Sequence, residues 1–401
     1  MVLVSENRVI NNINTLIITM KIKLDKKELT EKLLIVQNLA PQRSTLPILA
    51  NYLLETDRAA RKLWITSTDL EVGVKSAISA DIIDDGSITL PARKMGEILH
   101  SLPGNGASEA VEIELKDANR VTIKSSKSRF QLAGLAKDDY PSLPEFHEEK
   151  AIRFSSSVFL SMIEKTSFAV SADETRYVLS GVLFVLKKDK ALMIATDGRR
   201  LAVAQKAGLE GIKDEIDIII PVKALQEAAK IIRSQGTMNV PGDFLLEASR
   251  TQLGLKWGDT TLFSRLIEGS FPNWEQVIPK KGTVNVSFDK ETLMAVTRRA
   301  SLCIADRVGT CKYRFTKDSC EVTSRTLGHY EFEENVDVKA MEGAEGFEIS
   351  FNPIYVMDFL KASENDTVDI HLTTSVNPAL FSCSEGDSYR YVVMPTRNQA
   401  K

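Results

Sequence analysis

The run Thr196-Asp197-Gly198-Arg199-Arg200-Leu201 concentrates turn-forming and charged residues between two apolar stretches. Asp69, in Thr68-Asp69-Leu70-Glu71, occupies the equivalent place in an earlier stretch. Two carboxylates brought face to face would be a general acid and base, and an interdomain enzyme built on Asp69 and Asp197 is one reading of the chain. The structural reading competes with it: Asp-Gly between two alternating strands is a hairpin turn that needs positive φ. Little else offers chemistry. His100, His147, His329 and His371 are scattered and form no local metal motif. Walker, G-x-G-x-x-G and G-x-S-x-G patterns are missing. Cys303, Cys311, Cys320 and Cys383 all fall in the last third without a C-x-x-C pair, which reads as free thiols in a reducing cytoplasm. The sequence therefore points to no metal and no cofactor.

The elements that position these residues repeat three times. Pro91, Pro221 and Pro353 lie 130 and 132 residues apart. Each follows a β-rich run, Ser87–Leu90, Ile218–Ile220 or Glu348–Phe351, and precedes a helical pattern. A period that long is a repeated domain. The boundaries read as 20–148, 149–279 and 280–401, with residues 1–19 an N-terminal extension expected to be disordered. Each repeat opens with a second helix pattern, Asp25–Ala40, Ser157–Val170 or Asp289–Ile304, with Asp25, Ser157 and Asp289 as N-caps. Leu29, Leu33, Val36 and Ala40 share one face, as do Phe159, Ile163, Thr166 and Val170. In the second helices, Met95, Leu225 and Met357 at the fourth position after each proline predict a buried stripe, with the prolines at the first helical position. About six strand-like runs per repeat, joined by short turns, predict an α+β fold: two helices and antiparallel sheets in each domain.

Composition fits this plan. The 401 residues allow three domains of a size that buries its own core. Net charge is −3, so bulk charge alone argues for no nucleic acid. The six helix patterns nevertheless hold 13 Lys and Arg against 9 Asp and Glu, so the helices are basic in an acidic chain. Runs of about 18 apolar residues are absent, which argues against a membrane-spanning helix. The first 20 residues lack the features of a signal peptide.

Seven strings carry a resemblance: RSTLPILANYLLE (43–55), ITLPARKMGEI (88–98), SRFQLAGL (128–135), DETRYVLSGVLF (173–184), ATDGRRLAV (195–203), EGSFPNWEQVIP (268–279) and YVVMPTR (391–397). In this order and register they resemble the bacterial replicative sliding clamp family, the β subunit of DNA polymerase III. The resemblance implies three similar domains per chain and a homodimeric ring, with helices lining a bore and sheets outside. It implies no catalysis. It implies as partners duplex DNA without sequence preference, the replicative polymerase, an ATP-driven clamp loader, and other replication and repair proteins that bind through short hydrophobic peptides.

The resemblance also places sites. A partner-peptide cleft between the second and third domains falls on Leu179, Thr196, Gly198, Arg200, Leu201, Pro272, Val277, Val393, Met394, Pro395 and Arg397. Arg199 and Pro378 stand where the family often has other residues, and 398–401 extend past its usual end. DNA contacts fall on Arg43, Arg93, Arg176, Tyr177 and Lys223, against the plain reading of solvated surface charges. The subunit interface falls on Lys94, Phe130, Leu132, Ser301 and Leu302, against the plain reading that Phe130 and Leu132 are core. A monomeric adaptor using the same trough is the third reading.

Overall fold

The computed structural model describes residues 19–41, 44–102, 110–116, 119–208, 215–235, 242–280, 282–304, 309–326, 328–343, 345–383 and 388–396. Met20 therefore opens the described core, and the extension before Thr19 lies outside it, as do Arg43 and Arg397.

The first repeat is a compact body of its own. It runs β1 (Met20–Asp25), α1 (Lys26–Val36), β2 (Asn51–Asp57), β3 (Lys62–Thr68), β4 (Val72–Ser79), β5 (Asp81–Asp84), β6 (Ser87–Pro91), α2 (Ala92–Ser101), β7 (Ala110–Lys116), β8 (Arg120–Ser125) and β9 (Ser128–Ala133). Strand order is β5-β1-β7-β8-β9 in one antiparallel sheet and β4-β3-β2-β6 in the other. Asp25 caps α1 by accepting the Glu28 amide at 2.9 Å, and the helix buries Leu29, Leu33 and Val36. The predicted continuation to Ala40 is a 3-10 turn, Gln37–Leu39.

The second and third repeats form another body. The second comprises β10 (Ile152–Ser155), α3 (Ser156–Thr166), β11 (Gly181–Lys187), β12 (Lys190–Thr196), β13 (Arg200–Ala207), β14 (Ile216–Pro221), α4 (Val222–Gln235), β15 (Asp243–Ala248), β16 (Gln252–Trp257) and β17 (Thr260–Arg265). The third comprises β18 (Val284–Asp289), α5 (Lys290–Ser301), β19 (Cys311–Phe315), β20 (Ser319–Thr326), β21 (Tyr330–Asp337), β22 (Ala340–Glu342), β23 (Glu348–Phe351), α6 (Pro353–Ala362), β24 (Thr367–Leu372), β25 (Ala379–Cys383) and β26 (Tyr389–Val393). A sheet ordered β14-β11-β12-β13-β26-β25-β24-β18-β22 joins the two repeats through the antiparallel pair β13·β26. The third repeat's other sheet is β21-β20-β19-β23.

Among the described residues each repeat holds two α-helices, as expected, and eight or nine strands, more than expected. β10 before α3 and the edge strands β5 and β22 are too brief to show as alternating runs; β18 before α5 does alternate, burying Val284, Val286 and Phe288, and adds a strand that the expectation left out. Three local expectations need correction. The cap of α3 is Ser155, whose hydroxyl accepts the Val158 amide, rather than Ser157. Pro91 and Pro221 are not first helical residues, because each still pairs as the last residue of a strand, opposite Asn51 and Gly181. Only Pro353 sits at the first position of its helix, and the residue equivalent to Pro91 is the N-cap Asn352. The buried stripe is therefore Met95, Leu225 and Val356, while Met357 is half-buried.

Aromatic packing fills the cores of the second body. Phe159 and Phe244 have ring centroids 5.1 Å apart, and Phe244 stacks on Trp257 at 4.9 Å. In the third repeat Phe359 stacks on Tyr391 at 5.3 Å. One feature recurs in all three repeats: the outgoing chain is pinned to the strand before the second helix. Leu135 pairs with Thr89, Ile267 pairs with Ile219, and the Thr396 amide donates to the Ser350 carbonyl at 2.8 Å.

Candidate peptide cleft at the junction of the second and third repeats

The turn Thr196–Arg200 is built from its own side chains. Asp197 Oδ1 accepts the amides of Arg199 and Arg200 at 2.8 and 3.0 Å. Thr196 Oγ1 donates to the Arg200 carbonyl at 2.6 Å and accepts the Gly198 amide at 3.1 Å. Gly198 has φ +85°, where glycine carries no steric cost. Asp197 thus serves the turn.

Arg200 faces inward from this turn, with its side chain 10% exposed. Its Nε donates to Asp197 Oδ2 at 3.0 Å, one terminal nitrogen to Asp358 Oδ2 on α6 at 2.7 Å, and the other to the Phe168 carbonyl at 2.7 Å. The guanidinium lies 4.5 Å from the Tyr355 ring centroid and 5.5 Å from that of Phe168. Burial works against its charge, but Tyr391, Asp358 and Asp197 outweigh that and hold the guanidinium firmly protonated. Arg200 is thus a cross-link from the second repeat to the third. Asp358, Phe168 and Tyr355 were absent from the sequence reading, since no local pattern ties residues so distant in the chain.

Around this anchor the other described residues of the proposed cleft fall into three groups. Leu201 and Val393 are buried, in strands paired across the join. Leu179 and Pro395 are half-buried, and Pro272, Val277 and Met394 are exposed, Val277 at 45% and Met394 at 42%. The Met394 amide donates to the Arg199 carbonyl at 2.9 Å, so the chain leaving β26 follows the turn. Beneath lies an apolar cluster including Leu183, Ile194, Leu201 and Val392, with Val178, Phe271, Trp274 and Ile278 packed against it. Apolar residues with a few polar orienters suit a short peptide with hydrophobic anchors.

The proposed DNA contacts among the described residues lie on the surface. Arg93 and Lys94 on α2 both bind Glu97, at 3.0 and 2.5 Å, and these bonds hold the Glu97 carboxyl below its usual range. In the loop after α3, Asp173 accepts the Thr175 hydroxyl at 2.7 Å and its amide at 3.0 Å. These bonds, with Arg176 adding to them, keep the Asp173 carboxyl low. Arg176 also donates to the Asp197 carbonyl at 3.1 Å, joining this loop to the turn. Tyr177 and Lys223 are exposed.

The proposed interface residues lie at two edges. Phe130 and Leu132 are half-buried on β9, the last strand of its sheet. Ser301 ends α5, and Leu302 follows it, 77% exposed. The end of α5 is tied to β21, the last strand of the other sheet, by Arg299, which bonds both oxygens of Glu334. Of the cysteines, burial pushes Cys311 and Cys320 up to about 12, making them poor nucleophiles at neutral pH. Among the described residues, no helix is long and apolar enough to cross a membrane.

Comparison with known proteins agrees with this arrangement. Family models for the DNA polymerase III beta subunit match in order: the N-terminal domain over 20–144, the central domain over 153–273 and the C-terminal domain over 275–397. The beta sliding clamp of Synechocystis sp. is 32% identical over 398 residues, covering 94% of this chain and 99% of that protein. That of Chlamydia muridarum is 30% identical over 388 residues, with the same coverage. Among solved structures, the DNA polymerase sliding clamp of Bacillus subtilis superposes with a TM-score of 0.88 at 28% identity, covering 94% of this chain and 99% of that one. A Pseudomonas aeruginosa sliding clamp bound to griselimycin does so with a TM-score of 0.85, at the same identity and coverage.

Proposed function

The chain belongs to the DNA polymerase III beta subunit family and is a DNA sliding clamp; on that premise we propose that two copies close head to tail into a ring around duplex DNA. The observation that carries this is the join β13·β26. In the repeat, β26 corresponds to β9, and β13 corresponds to β21. A second copy can therefore make the same antiparallel join between its β21 and this chain's β9, with Phe130 and Leu132 meeting the Leu302 end of α5. Such a contact hides backbone groups that a free edge would leave open. It is heterologous, and two of them close a ring.

Basic helices facing duplex DNA would hold phosphates by counterion release without reading bases. Arg43, Arg93, Arg176 and Lys223 would serve this role, with Tyr177 stacking on an exposed base. The chain carries out no reaction in this scheme. A separate ATP-driven loader opens the ring, and processivity comes from enclosure. The cleft tethers the replicative polymerase and other replication and repair proteins, one peptide at a time, in the cytoplasm at the nucleoid. Buried Leu201 and Val393 floor it, Leu179 and Pro395 lie part-way up, and Pro272, Val277 and Met394 rim it. The frame of Thr196, Gly198 and Arg200 sets its shape, and Arg397 is assigned to its end.

Two variants test the two halves. Phe130→Asp with Leu132→Asp should yield folded monomers by light scattering, and a persistent dimer would refute the β9 interface. Met394→Ala should weaken binding of a Leu- or Phe-anchored peptide while the dimer persists; unchanged affinity would refute the cleft.

A further inference from the structure

Pro272, one of the proposed cleft residues, also lines a cavity of about 630 Å³. It is bounded by β14 and by the outgoing loop 266–275, the same stretch that carries Pro272 towards Val277. β14 is the edge strand of the nine-stranded sheet. Phe271 and Trp274 line this cavity, half-exposed, and their other surfaces pack on the apolar cluster beneath the cleft. Three carboxylates line it too: Asp217 from β14, and Glu268 and Glu275 from the loop. All three side chains are exposed and make no ion pair among the described residues. Arg250 is the one basic residue lining the cavity.

Aromatic rings and unpaired carboxylates lining one cavity are the chemistry of a cation site, in which a guanidinium or ammonium lies over a ring face with an acid beside it. The chain already uses that arrangement internally, with Arg200 over Tyr355 and next to Asp358. We propose that this cavity receives a basic flank, Arg or Lys, of the same partner peptide whose apolar anchors fill the cleft. The inference rests on the cleft reading, because continuity through Pro272 is what places the flank here. It adds a selection rule: partners with a basic residue beside their apolar anchor bind more tightly than partners with a neutral one. The excess of three acids over one base supplies the charge complementarity.

The test uses the full chain and synthetic peptides with one Leu/Phe anchor, extended at either end by three arginines or three serines. One of the two arginine-extended peptides should bind about fivefold tighter than its serine counterpart, the size expected of a few partly exposed charge pairs. The advantage should vanish in Asp217→Asn/Glu268→Gln/Glu275→Gln and at high salt. Serine-extended binding should be unchanged in that variant and weakened by Met394→Ala. The inference is overturned if neither arginine extension helps, or if the advantage survives neutralisation of the three acids. If the serine-extended peptide binds but ignores Met394→Ala, the cleft reading fails first and this inference falls with it.

Discussion

The turns Thr68–Val72 and Thr196–Arg200 share one hydrogen-bond frame. In the first, Thr68 Oγ1 donates to the Val72 carbonyl at 2.9 Å and accepts the Leu70 amide at 3.1 Å, and Asp69 Oδ1 accepts the amides of Glu71 and Val72 at 3.0 and 2.8 Å. Those bonds match the second turn one for one. Three positions differ, one of them between exposed side chains, Glu71 in the first turn and Arg199 in the second. Where the second turn has Gly198 at φ +85°, the first has Leu70 at φ +78°, 46% exposed. Where the second has Arg200, the first has buried Val72. The shared aspartate therefore belongs to the frame, each Oδ1 being taken up by two amides of its own turn. What distinguishes the second turn is its arginine, which ties one repeat to the next and shapes the floor of the proposed cleft.

The largest way to break this comparison is to strand the arginine. Asp358→Ala leaves the Arg200 charge enclosed with one partner fewer and should cost about 3 kcal/mol, as removing one member of a buried pair does. Hydrogen exchange should show lost protection in the second and third repeats, with β2, β3 and β4 unchanged. Equal loss in the first repeat, or none anywhere, would contradict the cross-link.

A smaller effect tests the other difference. Gly198→Ala should cost about 1 kcal/mol from positive φ alone. Its Cβ would also stand 3.0 Å from the Arg176 guanidinium, so that side chain must shift. Leu70→Gly should move the opposite way and stabilise the first repeat by about 0.5 kcal/mol, relief of the left-handed backbone outweighing added chain entropy. Denaturant midpoints check both signs. A loss for Leu70→Gly would mean that its exposed side chain makes a contact worth more than the strain.

These differences mark how far the sequence was legible. The period, the two helices per repeat and the alternating strands were visible because each is a local pattern repeated three times. The second-helix register in the third repeat was misjudged by one residue, because a proline can end a strand as readily as begin a helix. The buried partners of Arg200 were not visible at all. Phe168 and Asp358 meet it only after two repeats have docked, and nothing in the spacing announces that. The acidic cavity beside Pro272 was hidden for a different reason: it lies within the second repeat, but Asp217 and Glu268 come from elements about fifty residues apart in the chain.

The smallest expected effect concerns the caps. Asp289 accepts the amide and hydroxyl of Thr292, both at 2.9 Å, and the amide bond first and the hydroxyl second hold its carboxyl below the usual range. A folded pKa below the unfolded one means that this stabilisation is present above the unfolded value and is lost as pH falls through the folded one. Ser155, which caps α3 in the equivalent place, has no such titration. Asp289→Ser should therefore keep the helix capped while flattening the fall of Tm as the pH drops below the ordinary carboxylate range. An unchanged acid slope would show that other carboxylates dominate it.

The central claim is enclosure of DNA, and topology tests it most directly. Purified protein is loaded onto nicked circular DNA with a clamp loader and ATP, the DNA is then linearised, and retention is measured before and after. The account predicts stable retention on circles and rapid loss from the new ends; equal retention on circular and linear DNA would mean surface binding and would contradict it.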